Sequence, residues 1–155
     1  MLQRIQTVYL FLVFVFSVLF AILPLAHFSG ETSFIPLRLL KYNAFFSETA
    51  FSAVWIGMLL IILWVASMLF TVYMAIQYHN RLFQVKLGKV SILLHLGLIL
   101  MTFFFIDGLR NQLDDVAFNY GAGVLFPIIS LIFILMAIKA IKRDEALVRS
   151  ADRIR

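Results

Sequence analysis

His95 is the residue of this chain whose type and surroundings are best suited to chemistry. It stands inside an apolar run, with Ser91 four positions before it and Thr102 seven positions after it. On a helix those intervals set all three side chains on one face. An imidazole changes charge near neutral pH, so a face of this kind could relay protons through apolar surroundings. The same spacing serves a plainer purpose, because polar side chains inside apolar helices commonly hydrogen-bond to a neighbouring helix. No Asp, Glu, Lys or Arg shares the run Val90–Ile106. The plainer role is therefore the expectation, with proton or solute passage along Ser91, His95 and Thr102 as the alternative.

The remaining chemistry-bearing residues do not converge on a reaction. Asp107, Arg110, Asn111, Asp114 and Asp115 cluster after that run, and three of them could share a helical face. Arg110 lies three residues after Asp107 and four before Asp114, so local ion pairing explains the spacing as well as a cation site does. His27 and His79 fall on opposite sides of the apolar runs and cannot join His95 in a zinc site. The sequence contains no His-Glu-x-x-His, no Gly-x-Ser-x-Gly and no phosphate loop. It contains no cysteine, which excludes disulfides, thiolate metal sites and cysteine nucleophiles. The expectation is a chain with no catalytic residues, no cofactor and no metal.

The elements that carry these residues follow from composition. The chain has 155 residues, of which 63% are hydrophobic and only 14% charged, and its mean hydropathy is +1.01. An average soluble domain is about half apolar and about a quarter charged. Charges divide the sequence into four apolar runs, at residues 7–26, 53–76, 90–106 and 116–138. A helix rising about 1.5 Å per residue crosses the roughly 30 Å hydrocarbon layer in about 20 residues. Unbroken hydrophobicity indicates helices, since barrel strands alternate. The first run lacks a small-x-small cleavage site, so it is read as a retained span and not as a signal peptide. The fold expected is all-α: one integral membrane domain, a bundle of four transmembrane helices. Ten Lys and Arg lie on the side of the two termini and three on the other, which places both termini in the cytoplasm.

Two further features concern packing. Gly121, Ala122 and Gly123 offer a small surface that a neighbouring helix can approach closely. Pro127, inside the fourth run, removes a backbone donor and predicts a kink, with the Gly123 carbonyl released. Beyond Lys139 nothing breaks the helix, so residues 139–155 are expected to form a cytoplasmic tail helix. Glu145, Arg149 and Asp152 are spaced for ion pairs. Leu147, Val148, Ala151 and Ile154 form an apolar stripe at helical spacing. A tail that only fixed topology would need positive charge and no stripe. The stripe, with Arg149 and Arg153 beside it and Arg4 at the other terminus, is read as a surface for a partner, or for the chain's own Gln3–Thr7 segment.

The two ends also carry a resemblance. The chain opens Gln3-Arg4-Ile5-Gln6-Thr7-Val8-Tyr9-Leu10. It closes on Ile141-Lys142-Arg143-Asp144-Glu145 and then Leu147 to Arg155, after Tyr120-Gly121-Ala122-Gly123 and Pro127. This resembles a family of small four-span inner-membrane proteins of Bacteroidota-type bacteria, a domain of unknown function. The resemblance covers nearly the whole chain and implies a bacterial, multi-pass inner-membrane protein. It implies no activity and no catalytic residues.

The function expected is a non-enzymatic accessory or structural subunit of a larger bacterial inner-membrane complex, translocation or secretion being one host. The alternative is a small oligomeric transporter or channel. The partners expected are the bilayer with its anionic headgroups, a membrane protein and further copies of the chain. The basic excess is assigned to cytoplasmic segments and not to nucleic acid.

Overall fold

The computed structural model describes residues 3–29, 34–41, 51–78, 80–111 and 117–152. In chain order they form helix α1 (Gln3–Ile22), strands β1 (Pro24–Ser29) and β2 (Phe34–Arg38), helices α2 (Phe51–Ile76) and α3 (Arg81–Arg110), strand β3 (Ala117–Tyr120), a 3-10 turn (Ala122–Val124) and helix α4 (Leu125–Asp152). Successive helices are neighbours and α4 closes the ring against α1. The α1–α4 seam is the most extensive and the α1–α2 seam the least. All four helices are long and apolar enough to cross a membrane.

The expectation of an all-α chain is amended at one end of the bundle. There β1 pairs with β2 and with β3, both antiparallel, giving a three-stranded sheet of order β2-β1-β3. β3 and the start of β1 come from apolar sequence that reads as membrane span, while β2 comes from the segment between the first two runs. α1 stops at Ile22 because Pro24 lacks a donor and restricts Leu23 to extended conformations. The fourth run divides: Ala117–Tyr120 is strand, and helix begins only at Leu125. Burial holds the sheet on the bundle. Leu25, Ala26, Phe28 and Leu37 of the sheet share a core with Phe20 of α1, Leu60 of α2 and Phe105 and Leu109 of α3. A second core at the opposite end joins Leu10, Met74, Leu87, Ile134 and Ile141.

Pro127 falls near the start of α4 and not in mid-helix. It lies in the first turn, where backbone N–H groups have no intrahelical acceptor, so its missing donor costs nothing there. Gly121 and Gly123 admit a close neighbour, but that neighbour is the backbone where α1 passes into β1. A Cβ on Gly123 would lie 2.8 Å from the Pro24 carbonyl oxygen and 2.9 Å from Leu25 Cδ2. The Gly121 amide donates to the Leu25 carbonyl at 2.9 Å, extending the β1–β3 pairing.

α3 is the element most underestimated from sequence. It spans 30 residues, about 45 Å at 1.5 Å per residue, and begins nine residues before Val90. Asn80 caps it: its side chain accepts from Phe83 N at 3.1 Å. Lys86 and Lys89 are exposed on its surface and so do not end it. Only Gln77–Asn80 separates α3 from α2.

Candidate functional site

His95 lies midway along α3, and the three residues of the predicted polar face are buried: Ser91 0%, His95 2% and Thr102 1% exposed. They do not reach across to another helix in the way their spacing predicts. His95 Nδ1 is 2.9 Å from the Ser91 carbonyl. A carbonyl only accepts, so Nδ1 carries the proton, and in the neutral ring Nε2 is left as the acceptor. Thr102 Oγ1 likewise donates to Leu98 O of its own helix at 2.7 Å. Ser67 and Thr71 do the same on α2, donating to Trp64 O and Ser67 O. Near this depth a bond between two helices comes instead from a tryptophan. Trp64 Nε1 of α2 donates to the Ser17 carbonyl of α1 at 2.9 Å, across the seam with least contact.

These groups sit at similar depth. Gly88 of α3 abuts Ile138 of α4 and Met74 of α2. Two turns further along the antiparallel helices, His95 comes level with the neighbourhood of Ser67 and Ser130. The Oγ atoms of Ser17, Ser91 and Ser130 are buried without a hydrogen-bond partner. Each lone hydroxyl in an apolar layer costs about 1–3 kcal/mol.

A second polar layer lies at the termini end, and none of it was singled out from sequence. Gln84 Nε2 donates to the Met74 carbonyl at 2.9 Å, tying α3 to the end of α2. Gln6 on α1 is 3% exposed, and its Oε1, like Gln84 Oε1, has no partner. Arg81 Nη1 donates to the Asp144 carbonyl at 3.0 Å, tying α3 to α4. Asn80, a helix-capping residue just before an apolar-periodic stretch, was the available signal that α3 begins early and brings Arg81 and Gln84 inside.

Beyond Asp144, α4 continues without interruption to Asp152. Leu147 and Val148 are 50% and 46% exposed there. Ile5 and Tyr9 of α1 lie against the stretch of α4 that holds Met136, Lys139 and Arg143. Arg153 and Ile154 lie outside the described residues, as do the side chains of Arg4, Arg149 and Ala151. At the sheet end, Arg110 lies over the Phe118 ring, 5.8 Å from its centre. Asp107 and Asn111 are exposed, while Asp114 and Asp115 fall outside the described residues. Among the described residues no three His, Asp or Glu side chains converge as metal ligands would.

Fold and site together define a small four-helix protein of membrane-spanning proportions, capped at one end by a sheet and extended at the other by a helical tail. The chain belongs to the family Domain of unknown function (DUF4293), whose pattern matches residues 2–154. It matches no curated protein and no solved structure.

Proposed function

We propose that the chain is a non-enzymatic accessory or structural subunit of a larger complex in the bacterial inner membrane, with both termini in the cytoplasm and the sheet outside. The observation that carries this reading is the projecting end of α4. From Glu145 to Asp152 the helix continues for about 12 Å at 1.5 Å per residue beyond the residue bonded by Arg81. It presents Leu147 and Val148 to solvent. A stiff helix with adjacent exposed aliphatic residues suits a groove on another protein. One feature supports the orientation. Lys86, Lys89, Lys139, Lys142 and Arg143 are exposed around the termini end of the bundle, as expected of a cytoplasmic face against anionic headgroups. Exposed aromatic residues lie toward both ends, Trp55, Phe103 and Tyr120 at the sheet end and Tyr73 and Tyr78 at the termini end, as belts at the two interfaces of a bilayer would be.

Two experiments test this. A membrane-impermeant thiol reagent added outside intact cells should label Asn111→Cys and leave Lys86→Cys unreacted; the reverse pattern refutes the orientation. For docking, Leu147→Asp with Val148→Asp should release a stoichiometric partner during gentle purification while the protein stays inserted and folded. Lost aliphatic burial of this size is worth about 2–4 kcal/mol, a loss of affinity of 30-fold or more. Retention of every co-purifying protein by the Asp pair, and by truncation after Arg143, refutes the docking reading.

A further inference from the structure

Between α1 and α4, at the termini end, a groove of about 300 Å³ opens to the surface. Ile5 and Tyr9, one turn apart, form the α1 side; Met136, Lys139, Arg143 and Asp144 line the α4 side. The groove is graded along α4. Met136 lies nearest the middle of the bundle, and it and Ile5 are 41% and 47% exposed apolar surface. Lys139 and Arg143 follow at one-turn intervals and are exposed cations. Asp144, next to Arg143, is only 6% exposed. The bond given to it by Arg81 goes to its main-chain carbonyl and does not engage the carboxylate.

We propose that this groove is a binding site for one phospholipid bearing a primary-amine headgroup, a phosphatidylethanolamine. The phosphodiester lies between Lys139 and Arg143, the ammonium meets the Asp144 carboxylate, and the start of an acyl chain covers Ile5 and Met136. The charge pattern selects this headgroup. A phosphatidylglycerol headgroup brings the same phosphodiester to the two cations, but its glycerol is neutral and supplies no positive charge to the Asp144 carboxylate. A choline headgroup carries a positive charge with no N–H to donate to that carboxylate. An ethanolamine headgroup carries one negative and one positive group two carbons apart, and the groove places two cations and one carboxylate within two turns of α4. Its ammonium has three donors. The apolar continuation past Met136 selects a lipid over free phosphate. The inference rests on the chain crossing a bilayer and is independent of what the tail binds.

The test uses delipidated full-length protein in detergent, titrated with phosphatidylethanolamine, phosphatidylglycerol and phosphatidylcholine of identical acyl chains, with bound lipid counted by native mass spectrometry. One phosphatidylethanolamine should bind, preferred over each of the others by about tenfold, the worth of one charge-assisted hydrogen bond. Asp144→Asn keeps the shape of the side chain and should remove the preference over phosphatidylcholine while retaining phosphate-dependent binding. Lys139→Gln with Arg143→Gln should weaken all three lipids together. Equal binding of the three lipids by the unmodified protein, or a preference for phosphatidylglycerol, overturns the proposal without reference to any variant. So does an Asp144→Asn protein that still selects phosphatidylethanolamine.

Discussion

Gly121→Ala should detach the sheet from the bundle. The added Cβ would fall on the Pro24 carbonyl oxygen and within 3.1 Å of the Leu25 carbonyl carbon. Both obstacles are backbone, and that backbone is held by the Gly121–Leu25 bond and the β1–β3 pairing. The φ of Gly121 is −87°, open to any residue, so space and not conformation demands glycine. The expected loss lies at the upper end of overpacking, about 3 kcal/mol or more. No single side-chain truncation should restore it. Gly108→Ala is the matched control. A Cβ there meets nothing within 4 Å, and replacing a helical glycine should leave stability unchanged or raise it by up to about 1 kcal/mol. Unfolding of both variants in mixed micelles, with limited proteolysis between β2 and α2, distinguishes them. Equal stability of the two would show that the sheet is not seated as described.

Gly88→Leu should disrupt the opposite end, by a different mechanism and with a different remedy. A Cβ on Gly88 lies 2.6 Å from Ile138 Cγ1, 2.8 Å from Ile138 Cδ1 and 3.1 Å from Met74 Cε. Here α3 touches α4 and α2 at once, and every obstacle is a side chain. Gly88→Ala alone should cost about 1–3 kcal/mol, and the leucine more. Because Ile138 is the obstacle, Gly88→Ala combined with Ile138→Ala should be less damaging than the sum of the single changes. The coupling energy expected for contacting residues is about 0.5–3 kcal/mol. Strict additivity in that cycle would contradict the packing.

How much of this was legible in the sequence depended on whether the cause was local. The four helices announce themselves because a membrane-spanning helix needs only a long apolar run, and the continuous tail follows from the lack of any breaker after Lys139. The sheet was hidden because its pairing is non-local: Phe28 opposes Phe118, and no short window of sequence contains both. Pro24 and the dense polar stretch Ser29-Gly30-Glu31-Thr32-Ser33 between two short apolar runs were the readable signs that two strands flank it. Pro127 misled because the meaning of a proline depends on where the helix begins. Gly88 and Trp64 carried no sequence signal, since an apolar run tolerates either residue and only the register of α3 against α2 and α4, or of α2 against α1, gives them a task. His95 was correctly found buried, but the direction of its bond depended on the Ser91 carbonyl one turn away.

The claim on which the functional reading turns is that the exposed aliphatic pair at the end of α4 contacts a specific protein. Site-specific photo-crosslinking in intact cells tests it most directly, with a photoreactive residue in place of Val148 and, as a control on an exposed apolar surface earlier in the same helix, in place of Ile132, which is 53% exposed. The expected result is one discrete adduct with a different protein from position 148, lost when Leu147→Asp is added, and no such adduct from position 132. Lipid adducts alone from position 148, or crosslinks only between copies of this chain, would contradict it.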